Sequence, residues 1–122
     1  MPRTDKYPHR ADLHAKIIAT AMAGKVMTYS DLGTSRAMVG KYLSRITHEE
    51  DNANRPPLTA VVVSKHGGRP GPGFRQAMQE IGFAQPAESD LQVWRRALKQ
   101  VHEYWRPELD DERRDWPRFR KM

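Results

Sequence analysis

Apolar positions recur along this chain in two rhythms. Between residues 11 and 23, Leu13, Ile17, Ile18 and Ala21 return at helical spacing, and Gly24 stands where a left-handed residue would end the helix. Thr28, Tyr29 and Ser30 then read as a short extended link, and Asp31-Leu32 leave room for about one helical turn before Gly33. Thr34 or Ser35 can cap the next helix, whose inward stripe is Val39, Leu43 and Ile46, with Arg36, Lys41, Ser44, Arg45 and His48 facing outward. The polar run from Glu49 to Asn54 is expected to end that helix in a loop, and Pro56-Pro57 forbids more helix.

The rhythm then changes. Residues 58–65 are apolar and β-branched, which predicts a buried strand, and residues 66–73, with four glycines and two prolines, predict a turn-rich tip. Phe74, Ala77, Met78 and Ile81 predict a short helix over 74–81, closed by Gly82. Ser89 caps a last helix in which Leu91, Trp94, Leu98, Val101 and Trp105 share a face, and Pro107 stops it. Residues 1–10, with two prolines and no apolar period, read as a flexible basic arm, and residues 106–122 as a charged tail around Trp116 and Phe119. One domain over 11–105 follows. Its expected class is mainly α with a small β-ribbon, a winged helix-turn-helix with an added C-terminal helix.

Charge sharpens this picture. The chain of 122 residues carries a formal net charge of +6, which favours a polyanionic partner because cations that neutralise phosphates release condensed counterions. No apolar run approaches the roughly 20 residues of a membrane span, and the start of the chain has no signal-peptide core, so a cytoplasmic protein is expected. With no cysteine, disulfides, thiolate metal sites and cysteine nucleophiles are excluded.

The candidate DNA contacts are Tyr29, Ser35, Arg36, Lys41 and Arg45 around the basic helix, with Lys65 and Arg69 at the tip as a wing. Arg and Lys on such a face can meet phosphates or guanine acceptors, but a solvated helix face has the same composition. Tyr29 can donate to a phosphate or wedge its ring between helices, and its two ends can serve both purposes. The tip can enter a groove or be an ordinary exposed turn, and it lacks the lysine and Ser/Thr ending of a phosphate-binding loop. His9, His14, His48, His66 and His102 show no metal-ligand spacing, and Glu49 to Asp51 read as helix-ending charge rather than a metal cage. No catalytic residue, metal or cofactor is therefore assigned.

Three segments, Thr28-Tyr29-Ser30-Asp31-Leu32, Arg36-Ala37-Met38-Val39-Gly40, and Pro57 leading through the strand to Gly73-Phe74, resemble the DNA-binding and active-site region of O6-alkylguanine-DNA alkyltransferases and alkyltransferase-like proteins. The likeness spans the middle of the chain. It implies a phosphate contact for Tyr29 and, for Arg36, the place in the stack vacated by a flipped base. Arg36 stands one residue further from Val39-Gly40 than the family pattern has it. Pro57-Leu58-Thr59-Ala60 occupies the position of the family's Pro-Cys-His-Arg, so no alkyl acceptor exists and transfer chemistry is ruled out. The apolar strand offers few polar groups to an extruded base. The expected function is non-catalytic binding of double-stranded DNA. The alternative is an adaptor or subunit that docks on a protein through its C-terminal helix and aromatic tail, where Trp94, Tyr104, Trp105, Trp116 and Phe119 cluster.

Overall fold

A computed structural model describes residues 10–71 and 73–107. The arm before Arg10, Pro72 at the tip, and the tail from Glu108, with Trp116 and Phe119, lie outside the described residues. The described residues fold as four helices and one two-stranded sheet: α1 (Ala11–Met22), β1 (Met27–Thr28), a 3-10 turn (Tyr29–Leu32), α2 (Arg36–Asn52), a second 3-10 turn (Leu58–Val61), β2 (Val62–Val63), α3 (Gly73–Glu80) and α4 (Asp90–Tyr104). Among the described residues no helix is long and apolar enough to cross a membrane.

Caps explain most of the boundaries. Gly24, Gly33 and Gly82 all adopt positive φ, so the chain turns where a side chain would be strained. Thr28 and Asp31 form a reciprocal capping box at the first 3-10 turn, and Ser89 and Gln92 form another at α4. Ser35 caps α2, its hydroxyl oxygen accepting from the Met38 N–H at 3.3 Å.

The two strands pair in parallel, Met27 with Val62 and Thr28 with Val63, with α2 as the crossover between them. This corrects the expected ribbon. A wing needs two antiparallel strands around a turn, whereas the glycine-rich loop after β2 leads straight into α3. Most of the apolar run 58–65 is not strand either: Leu58, Thr59, Ala60 and Val61 form a 3-10 turn buried on all sides between α1, α2 and α4. That central turn is the middle of the core, which Leu13, Ile17, Ile46, Met78, Phe83 and Val101 close around it.

Two faces are rotated from expectation. In α4 the fully buried stripe is Val93, Ala97 and Val101, while Leu91, Trp94, Leu98 and Trp105 flank it half-buried. A stripe with alanine at its centre lets the helix axis come close to the central turn, and the larger side chains wrap its edges. α2 also runs through the acidic segment to Asn52 instead of ending there. Glu50 turns inward, with no exposed surface, and accepts from Arg55 Nε at 3.0 Å and Nη2 at 2.8 Å, with His14 Nε2 at 2.9 Å.

Candidate nucleic-acid interface

α2 and α3 face each other across an open cleft of about 510 Å³. One wall is α2, where Arg36, Gly40 and Ser44 follow at i, i+4 and i+8 beside Val39, Leu43 and Thr47. The other wall is α3, through Gly73, Phe74, Ala77 and Glu80, and Thr59 and Val62 lie beneath. Lining this cleft is why Val39 and Leu43, expected in the core, are only half-buried.

Three polar features shape the cleft. Tyr29 sits at one end, and its phenol oxygen accepts the Gly71 N–H at 2.5 Å, which ties the loop before α3 to the turn after β1. The phenol proton stays available as a donor. At depth, the Thr47 and Thr59 hydroxyls share a buried hydrogen bond of 2.7 Å, and because one donates to the other, the second keeps a proton to give. His48 joins two of the lining residues, its Nδ1 donating to the Ser44 carbonyl at 2.8 Å and its Nε2 facing Glu80 Oε1 at 3.4 Å.

The cationic residues do not form one face. An α-helix turns about 100° per residue, so Lys41 lies roughly 140° round α2 from Arg36, and Arg45 shares the Lys41 side. Arg36 is exposed, stands on the cleft, and makes no hydrogen bond or ion pair among the described residues. Arg45 is partly buried and bridges to Glu49 at 2.9 Å one turn on, so its charge is largely matched. Lys41 is exposed. Ser35 spends its acceptor on the helix cap and keeps its O–H as a donor.

Lys65 and Arg69 lie on the loop between β2 and α3, both exposed, their side chains without a hydrogen bond or ion pair among the described residues. The loop is closed by Ser64 N–H to the Arg69 carbonyl at 2.6 Å and by Gly68 N–H to the Ser64 carbonyl at 2.9 Å, with Gly68 at φ +67°. Tyr29, Arg36 and the end of this loop therefore meet at the cleft, while Lys41 and Arg45 are carried away from it. Trp94 in α4 and Trp105 just after it serve the fold: Trp94 donates to the Ala60 carbonyl at 2.9 Å, and Trp105 packs against the core.

The α3 wall and the threonine pair were not foreseen from the sequence. Phe74 carries a helical apolar signal that suits a core as well as a cleft, and Thr59 is hidden in an apolar run. Gly40 was the available signal, a glycine in mid-helix one turn after Arg36 with nothing within 4 Å of where a Cβ would stand. Comparison with family models, with curated proteins and with solved structures finds no match for this chain.

Proposed function

We propose that this protein binds double-stranded DNA without catalysis, laying the N-terminal end of α2 on the duplex and offering the α2–α3 cleft to a base turned out of the stack. The observation that carries this reading is Arg36, an exposed guanidinium with no partner among the described residues, standing on the lip of a cleft walled by the Tyr29 and Phe74 rings. A flipped base needs a ring to lie against and hydrogen-bonding groups at its edge. Both are present, since the Thr47–Thr59 pair, Ser44 and Glu80 supply the polar groups that the apolar run alone does not. Arg36 is then placed to fill the gap left in the stack, and Tyr29 to donate its remaining proton to a phosphate, as the resemblance to alkyltransferase-like proteins implies. Lys65 and Arg69 extend the cationic surface at the loop, in the place a wing would hold.

Two features of the cleft support the non-catalytic part of this reading. Leu58, at the position of the family's acceptor, is fully buried in the core and does not line the cleft. Thr59 does line it, but its hydrogen-bond partner is another threonine, which is no general base.

The test is binding of a duplex carrying 2-aminopurine, whose emission rises when it leaves the stack, at two salt concentrations. Wild type should bind more weakly at high salt and brighten the probe. Arg36→Ala should remove most of the brightening, and Lys65→Ala should lower the salt slope by about one unit. Salt-insensitive binding, or a probe that stays dark with wild type, would refute the proposal.

A further inference from the structure

A second cavity of about 250 Å³ adjoins the first, and Pro70, Gly71 and Phe74 line both, so they form the partition between them. Its far wall is the start of α4, with Asp90, Leu91 and Trp94, and its rim holds Arg69 and Arg75. The wall is rigid, because Trp94 Nε1 is fixed on the Ala60 carbonyl. Arg75 is fixed as well: Nη1 donates to the Glu88 carbonyl at 2.5 Å and to Asp90 Oδ1 at 3.2 Å. The Arg69 guanidinium makes no hydrogen bond or ion pair among the described residues.

These groups define an occupant. The volume is below the roughly 300 Å³ at which drug-sized sites begin, which suits one flat ring system. Phe74 and Trp94 offer it aromatic surface, and Arg75 beside Asp90 presents donors next to an acceptor, a pattern that a nucleobase edge can answer and a hydrocarbon cannot. Two guanidiniums against one carboxylate leave one positive charge, and the Arg69 charge is the unmatched one. The ligand should therefore carry an anion at that end.

We infer that this pocket is a second nucleotide subsite, which takes an unpaired base against Phe74 and Trp94, sets its edge on Arg75 and Asp90, and holds its phosphate on Arg69. The inference rests on the DNA-binding reading above and deepens it. With one base in each cavity, two nucleotides lie on either side of Phe74, so the protein prefers a duplex with an opened step to a fully paired one.

The test follows the indole N–H signal of Trp94 and the methyl signals of Leu91 by NMR in the full chain. Deoxyguanosine monophosphate should shift both, deoxyguanosine should do so about tenfold more weakly, and inorganic phosphate should leave Trp94 unmoved. Arg69→Ala should bring the monophosphate down to the nucleoside. Leu91→Trp, which fills the pocket, should abolish the Trp94 response and the preference for a duplex with a two-nucleotide bubble, with affinity for the paired duplex unchanged. An unmoved Trp94 overturns the inference, as does an equal monophosphate response in Arg69→Ala. So does a Trp94 that answers N-acetylphenylalanine but no nucleotide, which would make the pocket a peptide site. Salt-dependent duplex binding with a silent Trp94 removes the subsite alone, whereas a Trp94 response with no duplex binding removes the duplex reading.

Discussion

The Gly71 N–H donates to the Tyr29 phenol oxygen at 2.5 Å across 42 positions of chain, and a Cβ added at Gly71 would stand 2.9 Å from that same oxygen. The hydrogen bond and the absence of a side chain are thus one requirement. Tyr29→Phe should cost about 1 kcal/mol by leaving a part-buried N–H without its acceptor. Gly71→Ala should cost at least as much, because the phenol must move. Once Tyr29→Phe has removed the phenol oxygen, the nearest ring atom would be 3.5 Å from the new methyl, an ordinary contact, so the alanine should be tolerated in that background. Urea unfolding of the four proteins should give a coupling of about 1 kcal/mol, and strictly additive losses would contradict the account.

Glu50 is the most buried charge among the described residues, at 0% exposure, and it joins α1 to α2 through His14 and to the loop after α2 through Arg55. Burial pushes its carboxyl up, but the hydrogen bonds from His14 and Arg55 and the Arg55 charge outweigh burial and hold it below its ordinary value of 4.5. A lowered carboxyl in the fold stabilises it fully above that ordinary value and ceases to do so as pH falls through the lowered one. Glu50→Gln should therefore be less stable at pH 7, by about 2 to 4 kcal/mol, and should lose less stability than wild type between pH 5 and pH 3. Denaturant midpoints at several pH values decide it. Parallel pH curves for the two proteins would mean that another group controls acid unfolding.

Local signals in the sequence were readable and distant ones were not. Ser35, Ser89, Gly24, Gly33 and Gly82 announce helix ends because a cap or a positive φ is settled within one turn of chain. The apolar run at 58–65 announces burial but not its form, since a segment enclosed by α1, α2 and α4 shows no polar face from which strand could be told from 3-10 turn. The inward turn of Glu50 is held by Arg55, five positions on, and by His14, 36 positions away, and before the fold brings these together Glu50 reads no differently from Glu49. The division of Arg36 from Lys41 and Arg45 was available from helical geometry alone. The cleft was not, because it forms between α2 and α3, which are brought together only by the folded chain.

The threonine pair should behave unlike most buried hydrogen bonds when cut. Thr47 and Thr59 are 1% and 5% exposed and partner each other at 2.7 Å. Thr47→Val or Thr59→Val alone strands a buried hydroxyl and should cost about 1 to 3 kcal/mol, whereas the double valine variant removes both groups at nearly constant shape and should recover most of that loss. Thermal melts of the three variants test this. A double variant as unstable as the sum of the singles would mean that the hydroxyls have other partners.

Gly40 offers the sharpest separation of fold from function. It lies in the middle of α2, where glycine weakens a helix by about 0.5 to 1 kcal/mol relative to alanine, and no atom within 4 Å of the missing Cβ gives it a packing reason. It also lines the cleft between Arg36 and Ser44. If α2 lies against DNA, the bare backbone at Gly40 is where the two surfaces come closest, and a methyl there holds them apart. Gly40→Ala should then raise the melting temperature by a few degrees and weaken duplex binding by about tenfold. Melting curves and duplex titrations of the same preparation read the two effects together. A variant that is both more stable and equally tight would place the DNA elsewhere than on this face of α2.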